Sequence, residues 1–519
     1  MREEEFDYVV VGAGSAGCAV AARLSEVPRN RVLLLETGGS DRRMWIHIPL
    51  GYAKTMSDPD VNWCFYTEPD AATGDRRIYW PRGKVLGGSS SINGLIYIRG
   101  QPDDYDHWAA LGNEGWDWRS VLPFFLKSER QERIVGPLHG RDGPLAVSDL
   151  SEPHPLCDAL IESAVQQGIP RNDDFNGSTQ EGAGYYQLNT SRGRRCSAAV
   201  AFLRPARRRS NLKIATNALA TRIVFDGTRA AAVEFFQDGE SRLARARAEI
   251  IVSAGTVNSP HLLQLSGIGP GEVLRGMGLH VVKALPGVGE NLQDHYQVRS
   301  VYQCNQPITL NDDLRSIWRK LKIGMRYLLF RRGPLTFSAG QAGLFARTQP
   351  RSARPDVQFH FLTFSADGPG AALHDFSGFT LSVCQLRPRS RGRVQIRSID
   401  PRSAPAIHPN YLTDADDVAV TIAGMKLGRR IAAAAPLRSF IAREVEPGDR
   451  VSSEADLVSF ARAKGVSIFH PVGTCKMGND PMSVVDSRLR VHGLQGLRVV
   501  DASIMPTLVS GNTHAAAVM

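Results

Sequence analysis

The sequence predicts an α/β protein with two interleaved domains, one built on a parallel sheet and the other on an antiparallel sheet. The first observation is a short apolar run at residues 8–11, which leads into a glycine-rich turn and an alanine-rich helical stretch. Such a run is typical of a buried parallel strand in a β-α unit. The second is a set of runs after residue 300, such as DVQFHFLTF and GFTLSVCQL. Their partial alternation of apolar and polar residues favours an antiparallel sheet.

Length and composition are those of a globular protein with room for two hydrophobic cores. The chain has 519 residues, of which 42% are hydrophobic and 22% are charged, as in ordinary soluble domains. The net charge of +10 is not accompanied by a nucleic-acid-binding motif. We therefore expect the arginine clusters to lie in solvent, and we expect no nucleic-acid partner.

The termini and the cysteines bear on the compartment. The chain starts with the acidic stretch MREEE, and its seven cysteines show no CxxC or zinc spacing. This start does not resemble a secretory signal, and an odd set of cysteines favours reduced thiols. Two uncharged stretches, 250–271 and 502–519, are broken by Gly, Ser, Asn and Pro and predict no membrane span. We expect a cytoplasmic protein without a metal site.

One segment has the composition of a surface helix. Residues 315–332 (RSIWRKLKIGMRYLLFRR) mix basic and apolar residues at helical spacing. Such a helix either packs its apolar face on the sheet or lies on an anionic membrane surface. We expect packing on the sheet with the arginines in solvent. Weak peripheral contact with the inner membrane is the alternative.

A glycine-rich turn follows the first predicted strand directly. GAGSAG places Gly12, Gly14 and Gly17 in the pattern G-x-G-x-x-G, with Ser15 and Ala16 between them. Gly12 allows the tight turn, Gly14 admits a pyrophosphate, and Gly17 lets the helix pack on the strand. The helix N-terminus adds free amides for the phosphates. These five residues therefore predict a dinucleotide site.

An acidic residue completes this unit. The second predicted strand, residues 31–35, ends at Glu36. A carboxylate about 20 residues beyond the glycines is placed to accept hydrogen bonds from a ribose diol. It disfavours the 2′-phosphate of NADP. The unit alone leaves FAD and NAD open.

The stretch WPRGKVLGGSSSINGLIYIRG (80–100) has adjacent glycines and three consecutive serines between apolar runs. Small residues let a chain pass close to a large flat ligand, because no Cβ intervenes. Asn93 offers its side-chain amide to such a ligand. The alternative is an ordinary loop rich in glycine and serine. The candidate contacts in this stretch are Gly83, Val85, Gly88, Ser89, Asn93 and Gly94.

Two strand ends and a histidine turn supply further candidates. The predicted strand 249–253 continues into Ala254 and AGTVNSPHLLQLSGIG, and a later strand ends at Asp501 and Ala502. SIFHPVGTCKMG (467–478) places His470 beside a proline and a glycine-containing turn. Together these turns predict a second set of cofactor contacts. A helix cap is the alternative role for Asp501.

Six blocks in this order resemble the glucose–methanol–choline (GMC) family of flavin oxidoreductases, on its bacterial choline-dehydrogenase-like side. They are DYVVVGAGSAGCAVAARLSE, WPRGKVLGGSSSINGLIYIRG, GTVNSPHLLQLSGIG, VGENLQDH, HPVGTCKMG and VVDASIMPTLVSGNT. The resemblance runs the length of the chain. It implies a Rossmann-like FAD-binding domain of the GMC type, formed by residues 1–150, 193–300 and 465–519. An interleaved substrate-binding domain is then formed by residues 151–192 and 301–464.

The resemblance also implies roles for individual residues. FAD would be held by the glycine turn and Glu36, with Gly88, Asn93 and Asp501 near its isoalloxazine and ribityl parts. His470 becomes the catalytic histidine, and the second active-site position of the family falls on Asn512. Some members link the flavin covalently through a histidine just before the position of Asn93. Ile92 stands there, which implies non-covalent FAD.

The chain departs from the family pattern in two places. Many relatives have N-T-N-A-P after the Ser-Gly pair, whereas this chain has Asn512, Thr513 and His514 followed by two alanines. His514 is therefore an alternative active-site or flavin-contacting residue. The chain also stops at Met519, where relatives continue into a terminal helix. We expect either a truncated chain or a short native end.

The reaction implied by the resemblance is oxidation of a primary aliphatic or aryl alcohol to the aldehyde, as in choline dehydrogenase. His470 would take the hydroxyl proton, and a hydride would pass to flavin N5. A quinone- or dye-type acceptor is favoured over O2. The alternatives are an aryl-alcohol or hydroxymethylfurfural-type oxidase and a lyase or photodecarboxylase of the same fold. An NAD-dependent dehydrogenase and a non-catalytic flavoprotein are the rivals from other classes.

Overall fold

The computed structural model describes residues 2–349, 352–368 and 370–519. It contains two seven-stranded sheets, and the first begins at the N-terminus. In spatial order the strands of this first sheet are Leu212–Ala215, Val32–Leu35, Arg2–Val11, Glu240–Val252, Arg229–Gln237 and Leu219–Asp226, with Leu497–Val499 beside Glu240–Val252.

The first sheet is parallel on the side that carries the glycine-rich turn. Its four strands from Leu212–Ala215 to Glu240–Val252 run parallel to one another, as does Leu497–Val499. Beyond them, Arg229–Gln237 pairs antiparallel with Glu240–Val252, and Leu219–Asp226 pairs antiparallel with Arg229–Gln237. Parallel strands end at a common edge, where ligands bind in such sheets. Gly12 and Glu36 follow their strands at this edge. The predicted parallel sheet is confirmed, although the strand predicted to start at residue 249 already starts at Glu240.

The second sheet is antiparallel throughout, as predicted. Its strands are Ile441–Glu446, Tyr296–Cys304, Gly378–Gln385, Val357–Leu362, Ala342–Ala346 and Gly182–Tyr185, with Val466–Ser467 beside Tyr296–Cys304. Shorter two-stranded pairings join Phe65–Tyr66 to Tyr79–Trp80, Glu129–Gln131 to Leu145–Val147, Thr190–Ser191 to Arg194–Arg195, Ile268–Gly269 to Lys283–Ala284, and Arg393–Gln395 to Ala406–His408.

Helices surround both sheets. In chain order they are Ser15–Leu24, Met44–His47, Tyr52–Thr55, Pro102–Ala110, Trp118–Ser128, Pro155–Gln166, Arg204–Ala206, Gly255–Leu265, Gly271–Gly276, Leu310–Arg315, Ile317–Phe330, Ala415–Ala433, Ala435–Arg438, Glu454–Lys464 and His514–Val518. Short 3₁₀ turns occur at Pro49–Gly51, Ala71–Thr73, Gly88–Ser91, Pro334–Thr336 and Ala502–Ile504, and a π-helical turn at Ala199–Leu203. No helix within the described ranges is long and apolar enough to cross a membrane.

Strand alternation gives the second sheet one apolar and one polar face. On strand Val357–Leu362, Phe359 and Phe361 join a core that includes side chains of the helices Pro155–Gln166 and Ala415–Ala433. His360, between them, points to the opposite face and lines a cavity. Because successive strand side chains point to opposite faces, this sheet buries one face under helices and presents the other to a site.

The amphipathic segment 315–332 does not pack in the way expected from the sequence. The chain forms the helix Ile317–Phe330 there, but only Tyr327 of that helix is buried. Its large apolar side chains, Trp318 among them, lie in solvent. The expected packing of its apolar face against the sheet is therefore wrong.

The second sheet crosses the predicted domain boundaries. Strand Tyr296–Cys304 starts before the predicted boundary at residue 300, and Val466–Ser467 lies after the one at residue 465. By sheet membership, residues 296–300 and 466–467 belong with the antiparallel part. With that adjustment, the division into two discontinuous domains stays a proposal.

Candidate active site

A cavity of about 390 Å³ is lined by residues of both sheets. All but two of the residues predicted from the sequence line it. Those that do are Gly12, Gly14, Ser15, Ala16, Glu36, Gly83, Gly88, Ser89, Asn93, Gly94, Ala254, His470, Asp501, Ala502, Asn512 and His514. Segments up to 500 residues apart therefore meet at one site.

The two exceptions lie behind the cavity wall. Gly17 packs the first helix on the turn, because a Cβ there would lie 1.8 Å from the carbonyl oxygen of Gly12. Val85 is fully buried and packs with Ile46, Val61 and Ile92. The structure therefore gives Gly17 the packing task expected for it, and gives the side chain of Val85 no place in the cavity.

The glycine turn is shaped for a ligand that approaches the backbone. Gly12 has φ +99°, and a Cβ on it would lie 2.5 Å from the carbonyl oxygen of Ser253. At Gly14 the nearest atom to a Cβ is the same oxygen at 3.9 Å. Only glycine adopts such a φ without strain. Gly12 thus forms the turn, and Gly14 leaves open space at the start of the first helix.

Glu36 is held at the end of its strand by backbone amides. Its carboxylate accepts hydrogen bonds from the N–H groups of Ala13 (3.0 Å) and Gly38 (2.8 Å). Burial raises its pKa to about 7, against the lowering effect of these hydrogen bonds and of Lys84. Each oxygen keeps a further lone pair for a donor from the cavity.

Asn93 is positioned by a residue that sequence reasoning missed. The buried Arg195 donates to its side-chain oxygen at 2.6 Å and to its carbonyl oxygen at 2.8 Å. The amide N–H of Leu95 donates to the same side-chain oxygen at 3.1 Å. The side-chain NH₂ of Asn93 therefore remains for the cavity. Burial lowers the pKa of Arg195 to about 9.

Asp501 joins two small-residue turns. One of its oxygens accepts from Gly255 N–H at 2.8 Å and from Ser259 Oγ at 2.5 Å. The other accepts from Ser503 N–H at 2.8 Å. Asp501 is thus an N-cap for the short turn Ala502–Ile504, as in the alternative given above, and it also lines the cavity.

His514 lies at the end of the cavity that the glycine turn forms. Its Nδ1 is 2.9 Å from Ser15 Oγ, at the start of the first helix. Its Nε2 is buried and has no hydrogen-bond partner among the described residues. Burial, followed by the charge of Arg195, lowers its pKa to about 4. The ring is therefore neutral near pH 7 and leaves one nitrogen for a ligand.

His470 and Asn512 are in contact. Nδ2 of Asn512 lies 3.1 Å from Nε2 of His470. Gln358 donates to the side-chain oxygen of Asn512 at 3.2 Å and to the hydroxyl oxygen of Tyr186 at 3.2 Å. The hydroxyl of Tyr186 in turn donates to the carbonyl of Phe359. This order of donors directs the NH₂ of Asn512 at His470, so Nε2 of His470 is an acceptor.

On its other side His470 meets His295. The two Nδ1 atoms are 3.1 Å apart, and Nε2 of His295 is 2.9 Å from the carbonyl oxygen of Leu386. A carbonyl only accepts, so Nε2 of His295 carries its proton and Nδ1 accepts from His470. Both ends of the network thus assign the same tautomer to His470, protonated on Nδ1 and with an unprotonated Nε2 that accepts from Asn512.

The environment keeps these rings neutral. Burial, and then the nearby His295 and His360, lowers the pKa of His470 well below its usual value. Burial also lowers the pKa of His295 to about 4 and of His360 to about 3. Both ring nitrogens of His360 are buried without a hydrogen-bond partner among the described residues. The site thus contains three neutral imidazoles.

The backbone of His470 is fixed by residues that sequence reasoning did not single out. Its N–H donates to Asp294 at 2.8 Å, and Ser467 Oγ donates to the same carboxylate at 2.5 Å. Burial raises the pKa of Asp294 to about 6. Phe469, the preceding residue, has φ +69°, and Arg82 donates to its carbonyl oxygen at 2.6 Å. Backbone strain of this kind is common where a catalytic residue is held in place.

Only the block VGENLQDH pointed to Asp294 and His295 before the structure was known. Arg195 is the second arginine of GRRC, a segment without a recognisable binding motif. His360 lies in DVQFHFLTF, whose alternating apolar residues are equally typical of a core strand. No spacing rule links these residues to His470.

The residues present fit FAD. The glycine turn leaves room for a pyrophosphate, and the carboxylate of Glu36 lines the cavity with lone pairs that would accept from the hydroxyls of a ribose. At Gly88, which has φ +52°, a Cβ would lie 2.6 Å from the Cα of Gly14, so the two glycine segments approach each other too closely for side chains. His514 and Asn93 direct unpartnered nitrogen atoms at the same cavity.

Comparison with known proteins gives the same family as the resemblance. The family model "GMC oxidoreductase" matches residues 6–297 with its N-terminal part and 388–519 with its C-terminal part. The chain is 43% identical to the "Alcohol dehydrogenase [acceptor]" of Pseudomonas putida, covering 99% of this chain and 94% of that protein. It is also 43% identical to the mitochondrial choline dehydrogenase of Mus musculus, covering 100% and 88%.

Solved structures show the same fold. Pyridoxine 4-oxidase from Mesorbium loti aligns with a TM-score of 0.90 at 32% identity and covers 99% of this chain and 97% of that chain. An FAD-dependent oxidoreductase from Chaetomium thermophilum aligns with a TM-score of 0.90 at 27% identity, with the same coverage. The chain therefore belongs to the GMC oxidoreductase family and is an FAD-dependent enzyme that acts on CH–OH groups.

Proposed function

We propose that this enzyme oxidises a primary alcohol to the aldehyde, with His470 as the general base. The observation that carries the proposal is the unprotonated Nε2 of His470, which lies in the cavity wall and accepts a hydrogen bond from the NH₂ of Asn512. A base must lie within hydrogen-bond reach of the proton that it takes. A hydroxyl that binds between these two side chains meets that condition.

Each residue of the pair has a separate task. Nε2 of His470 takes the hydroxyl proton as the carbon–hydrogen bond breaks. The NH₂ of Asn512, which contacts Nε2 in the free site, turns its hydrogen bond to the substrate oxygen and stabilises the negative charge that develops there. His295 is a positioning residue, because it accepts a hydrogen bond from Nδ1 of His470. This keeps the proton of His470 on Nδ1 and leaves Nε2 unprotonated.

The cofactor site uses the opposite end of the cavity. We propose that Gly12, Gly14 and Ser15 hold the pyrophosphate and that Glu36 holds the adenine-side ribose. When bound, FAD supplies the acceptor for the hydride that leaves the carbinol carbon. Ile92 precedes Asn93 in the sequence and has no nucleophilic atom, which supports non-covalent FAD.

Further contacts to FAD are proposed from the residues that line the cavity. Ala254, Asp501 and Ala502 lie on two turns joined by the carboxylate of Asp501. His514 belongs to the cofactor set rather than to the catalytic pair, because its hydrogen bond goes to Ser15. The other proposed contacts are Ala16, Gly83, Gly88, Ser89, Asn93 and Gly94.

The electron acceptor is part of the proposal. The Pseudomonas putida relative is named for an acceptor, and the Mus musculus relative is named a dehydrogenase. These two names support a dehydrogenase that passes electrons to a quinone or dye, whereas the name "Oxygen-dependent choline dehydrogenase" of a Burkholderia multivorans relative at 42% identity supports O2 as the alternative acceptor. The odd number of cysteines supports a reducing, cytoplasmic compartment.

Steady-state turnover tests the proposal. The purified holoenzyme is assayed with a series of primary alcohols and an artificial quinone or dye, and in parallel with O2 alone. We expect aldehyde to form with the dye and little peroxide to form with O2. Rapid peroxide formation would instead assign an oxidase, and aldehyde formation unchanged in His470→Ala would remove His470 from the mechanism.

A further inference from the structure

One arginine that lines the cavity forms no ion pair with any described residue. Arg299 lies on strand Tyr296–Cys304 and lines the cavity together with Gln297, while Val298 between them packs in the core. Its Nη1 is buried and makes no hydrogen bond within the described residues. A buried guanidinium nitrogen without an acceptor is costly, because it has lost its hydration and gained nothing in return.

No carboxylate of the cavity is available to Arg299. Among the described residues that line it, only Glu36 and Asp501 are acidic. Both lie in the proposed cofactor part and accept backbone hydrogen bonds. Two acids outside the lining, Glu446 and Asp367, offset the charge of Arg299 from a distance without forming an ion pair to it within the described ranges.

The register of the second sheet aligns Arg299 with residues of two neighbouring strands, in the direction of His470 and Asn512. Arg299 pairs with Ser382 on the neighbouring strand, and Ser382 pairs with His360 on the next. All three line the cavity. Strands lie about 4.8 Å apart, so Arg299 and His360 are separated by roughly two such spacings. Gln358, on the same strand as His360, contacts Asn512.

The groups around Arg299 suit an anion with an apolar body. Tyr52 lines the same cavity, and burial raises its pKa above the ordinary value, so its hydroxyl is neutral near pH 7. Burial lowers the pKa of Arg299. Leu362, Phe364 and Leu373 add apolar surface. A guanidinium fork matches a carboxylate in shape and charge.

We propose that the substrate is a hydroxy carboxylic acid, and that Arg299 binds its carboxylate while the hydroxyl reaches His470 and Asn512. The inference rests on the proposed function, because it names the substrate class of the same site. It disfavours a quaternary-ammonium alcohol, because the guanidinium of Arg299 would repel a second cation in the cavity.

Matched substrates test this directly. The holoenzyme is compared on 6-hydroxyhexanoate, 1-hexanol and choline with the same dye. We expect the highest kcat/KM for 6-hydroxyhexanoate and the lowest for choline. In Arg299→Gln, kcat/KM for 6-hydroxyhexanoate is expected to fall about 30-fold or more, mainly through KM, and that for 1-hexanol by less than about 3-fold.

Two further variants control for folding and charge. Arg299→Lys keeps the charge but not the fork and is expected to retain part of the preference. Arg443→Gln removes an exposed arginine from the neighbouring strand and is expected to change nothing. An unchanged ratio of 6-hydroxyhexanoate to 1-hexanol in Arg299→Gln would overturn the inference, as would a preference for choline.

A binding measurement separates this inference from the proposed function. Hexanoate is titrated into the holoenzyme by calorimetry, with hexanamide as the neutral control. Tighter binding of hexanoate, lost in Arg299→Gln, supports the anion site even if every alcohol is inactive. Oxidation of 1-hexanol with no binding of hexanoate overturns the anion site and leaves alcohol oxidation standing.

A different observation supports a second, independent inference at the protein surface. The helix Ile317–Phe330 exposes seven large apolar side chains. They are Ile317, Trp318, Leu321, Met325, Leu328, Leu329 and Phe330, with Trp318 78% exposed. At about 100° per residue, all but Phe330 fall within one third of the helix circumference. A continuous apolar stripe of this kind marks an interaction surface.

Basic residues flank this stripe. Lys320 and Lys322 lie on its two sides and form no ion pair with any described residue, while Arg319 and Arg326 pair with Asp313 and Glu152. A stripe of large apolar side chains between cations is typical of helices that lie in the interface of an anionic bilayer. We infer that this helix binds the protein to an anionic lipid surface.

Flotation with vesicles tests the surface. Holoenzyme is mixed with vesicles of phosphatidylcholine alone or with 30% phosphatidylglycerol, and the bound fraction is measured. We expect binding to the anionic vesicles that weakens at high salt and is lost when Trp318→Glu and Leu328→Glu are combined. Phe124→Glu, at another exposed aromatic residue, is the matched control and is expected to bind normally. Absence of binding, or a dimer in light scattering that the paired substitution splits, would overturn the inference.

Discussion

Nδ1 of His295 lies 3.1 Å from Nδ1 of His470, and the opposite nitrogen of His295 is tied to the carbonyl of Leu386. Of the two facing Nδ1 atoms, one carries a proton and the other accepts the hydrogen bond. Because the carbonyl of Leu386 requires the proton of His295 on Nε2, Nδ1 of His470 is the donor. Nε2 of His470 is therefore unprotonated, and it can act as a base once Asn512 turns its hydrogen bond to the substrate oxygen. This relationship yields the first three predictions.

Removing the base itself has the largest effect. In His470→Ala we expect turnover to fall by about 10²-fold or more, because general-base catalysis contributes at least that much. The FAD content is expected to stay normal, since the proposed cofactor contacts lie elsewhere. Single-turnover kinetics and the flavin absorbance of the purified variant check both points. Near-normal turnover at full FAD content would contradict the role of His470.

Changing the partner of the base tests tautomer control. In His295→Leu we expect turnover to fall about 10-fold or more, because loss of a tautomer-orienting partner lowers turnover by up to about 10⁴ in serine proteases. In His295→Gln the side-chain oxygen accepts from His470 Nδ1, and we expect partial rescue.

The discriminating readout is the pH profile. A merely structural His295 would lower turnover in both variants without moving the profile. Positioning predicts an altered acid limb in His295→Leu that His295→Gln restores. Identical profiles in the two variants would exclude positioning.

The dependence on pH follows from the direction of the His470 shift. The neutral ring is the active form, and burial and the neighbouring histidines lower its pKa below the ordinary value of 6.5. Activity is therefore retained as the pH falls to 6.5 and is lost only as the pH falls through the lowered pKa. We expect the acid limb of kcat/KM to have its midpoint below pH 6.5. A midpoint above pH 7 would contradict the assignment.

Substitutions at two glycines distinguish an effect on cofactor binding from an effect on folding. At Gly14 a Cβ meets nothing closer than 3.9 Å, so Gly14→Val is expected to fold with a loss of stability below about 1 kcal/mol but to lack FAD. At Gly88 a Cβ would lie 2.6 Å from the backbone of Gly14, and Gly88→Ala is expected to lose about 1–3 kcal/mol or more.

Thermal unfolding of the apoproteins and flavin absorbance after gel filtration distinguish the two effects. Full retention of FAD in Gly14→Val would show that the open space beside Gly14 is not the pyrophosphate site. An unchanged unfolding temperature in Gly88→Ala would contradict the close approach of the two glycine segments.

A substitution of His514 tests whether this residue contributes to FAD binding or to the chemical step. Its contact with Ser15 predicts that His514→Ala weakens FAD retention while the turnover of the remaining FAD-loaded molecules changes little. Flavin content and turnover per bound flavin are measured on the same sample. A loss of turnover per flavin comparable to that of His470→Ala would place His514 in the chemistry instead.

The sequence predicted well what depends on local patterns. The strand at residues 31–35, the glycine turn and the acid at Glu36 need only neighbouring residues to specify them, and the structure has them where expected. The pairing of His470 with Asn512 came from family resemblance alone, because no periodicity links a loop at 470 to a turn at 512.

What the sequence did not predict depends on contacts between distant segments. His295 and His470 are 175 residues apart, and Arg195 and Asn93 are 102 residues apart. Such pairs follow from how two sheets share one cavity. The exposed stripe on Ile317–Phe330 was misjudged for a related reason, since amphipathic spacing specifies an apolar face but not what covers it.

Anaerobic reduction of the bound flavin by a primary alcohol tests the central claim most directly. The holoenzyme is mixed with alcohol in the absence of O2, and the visible flavin absorbance is followed in the wild type and in His470→Ala. The account predicts rapid bleaching in the wild type, slowed about 10²-fold or more in the variant. Persistent colour in the fully loaded wild type with every alcohol tested, hydroxy acids included, would contradict it.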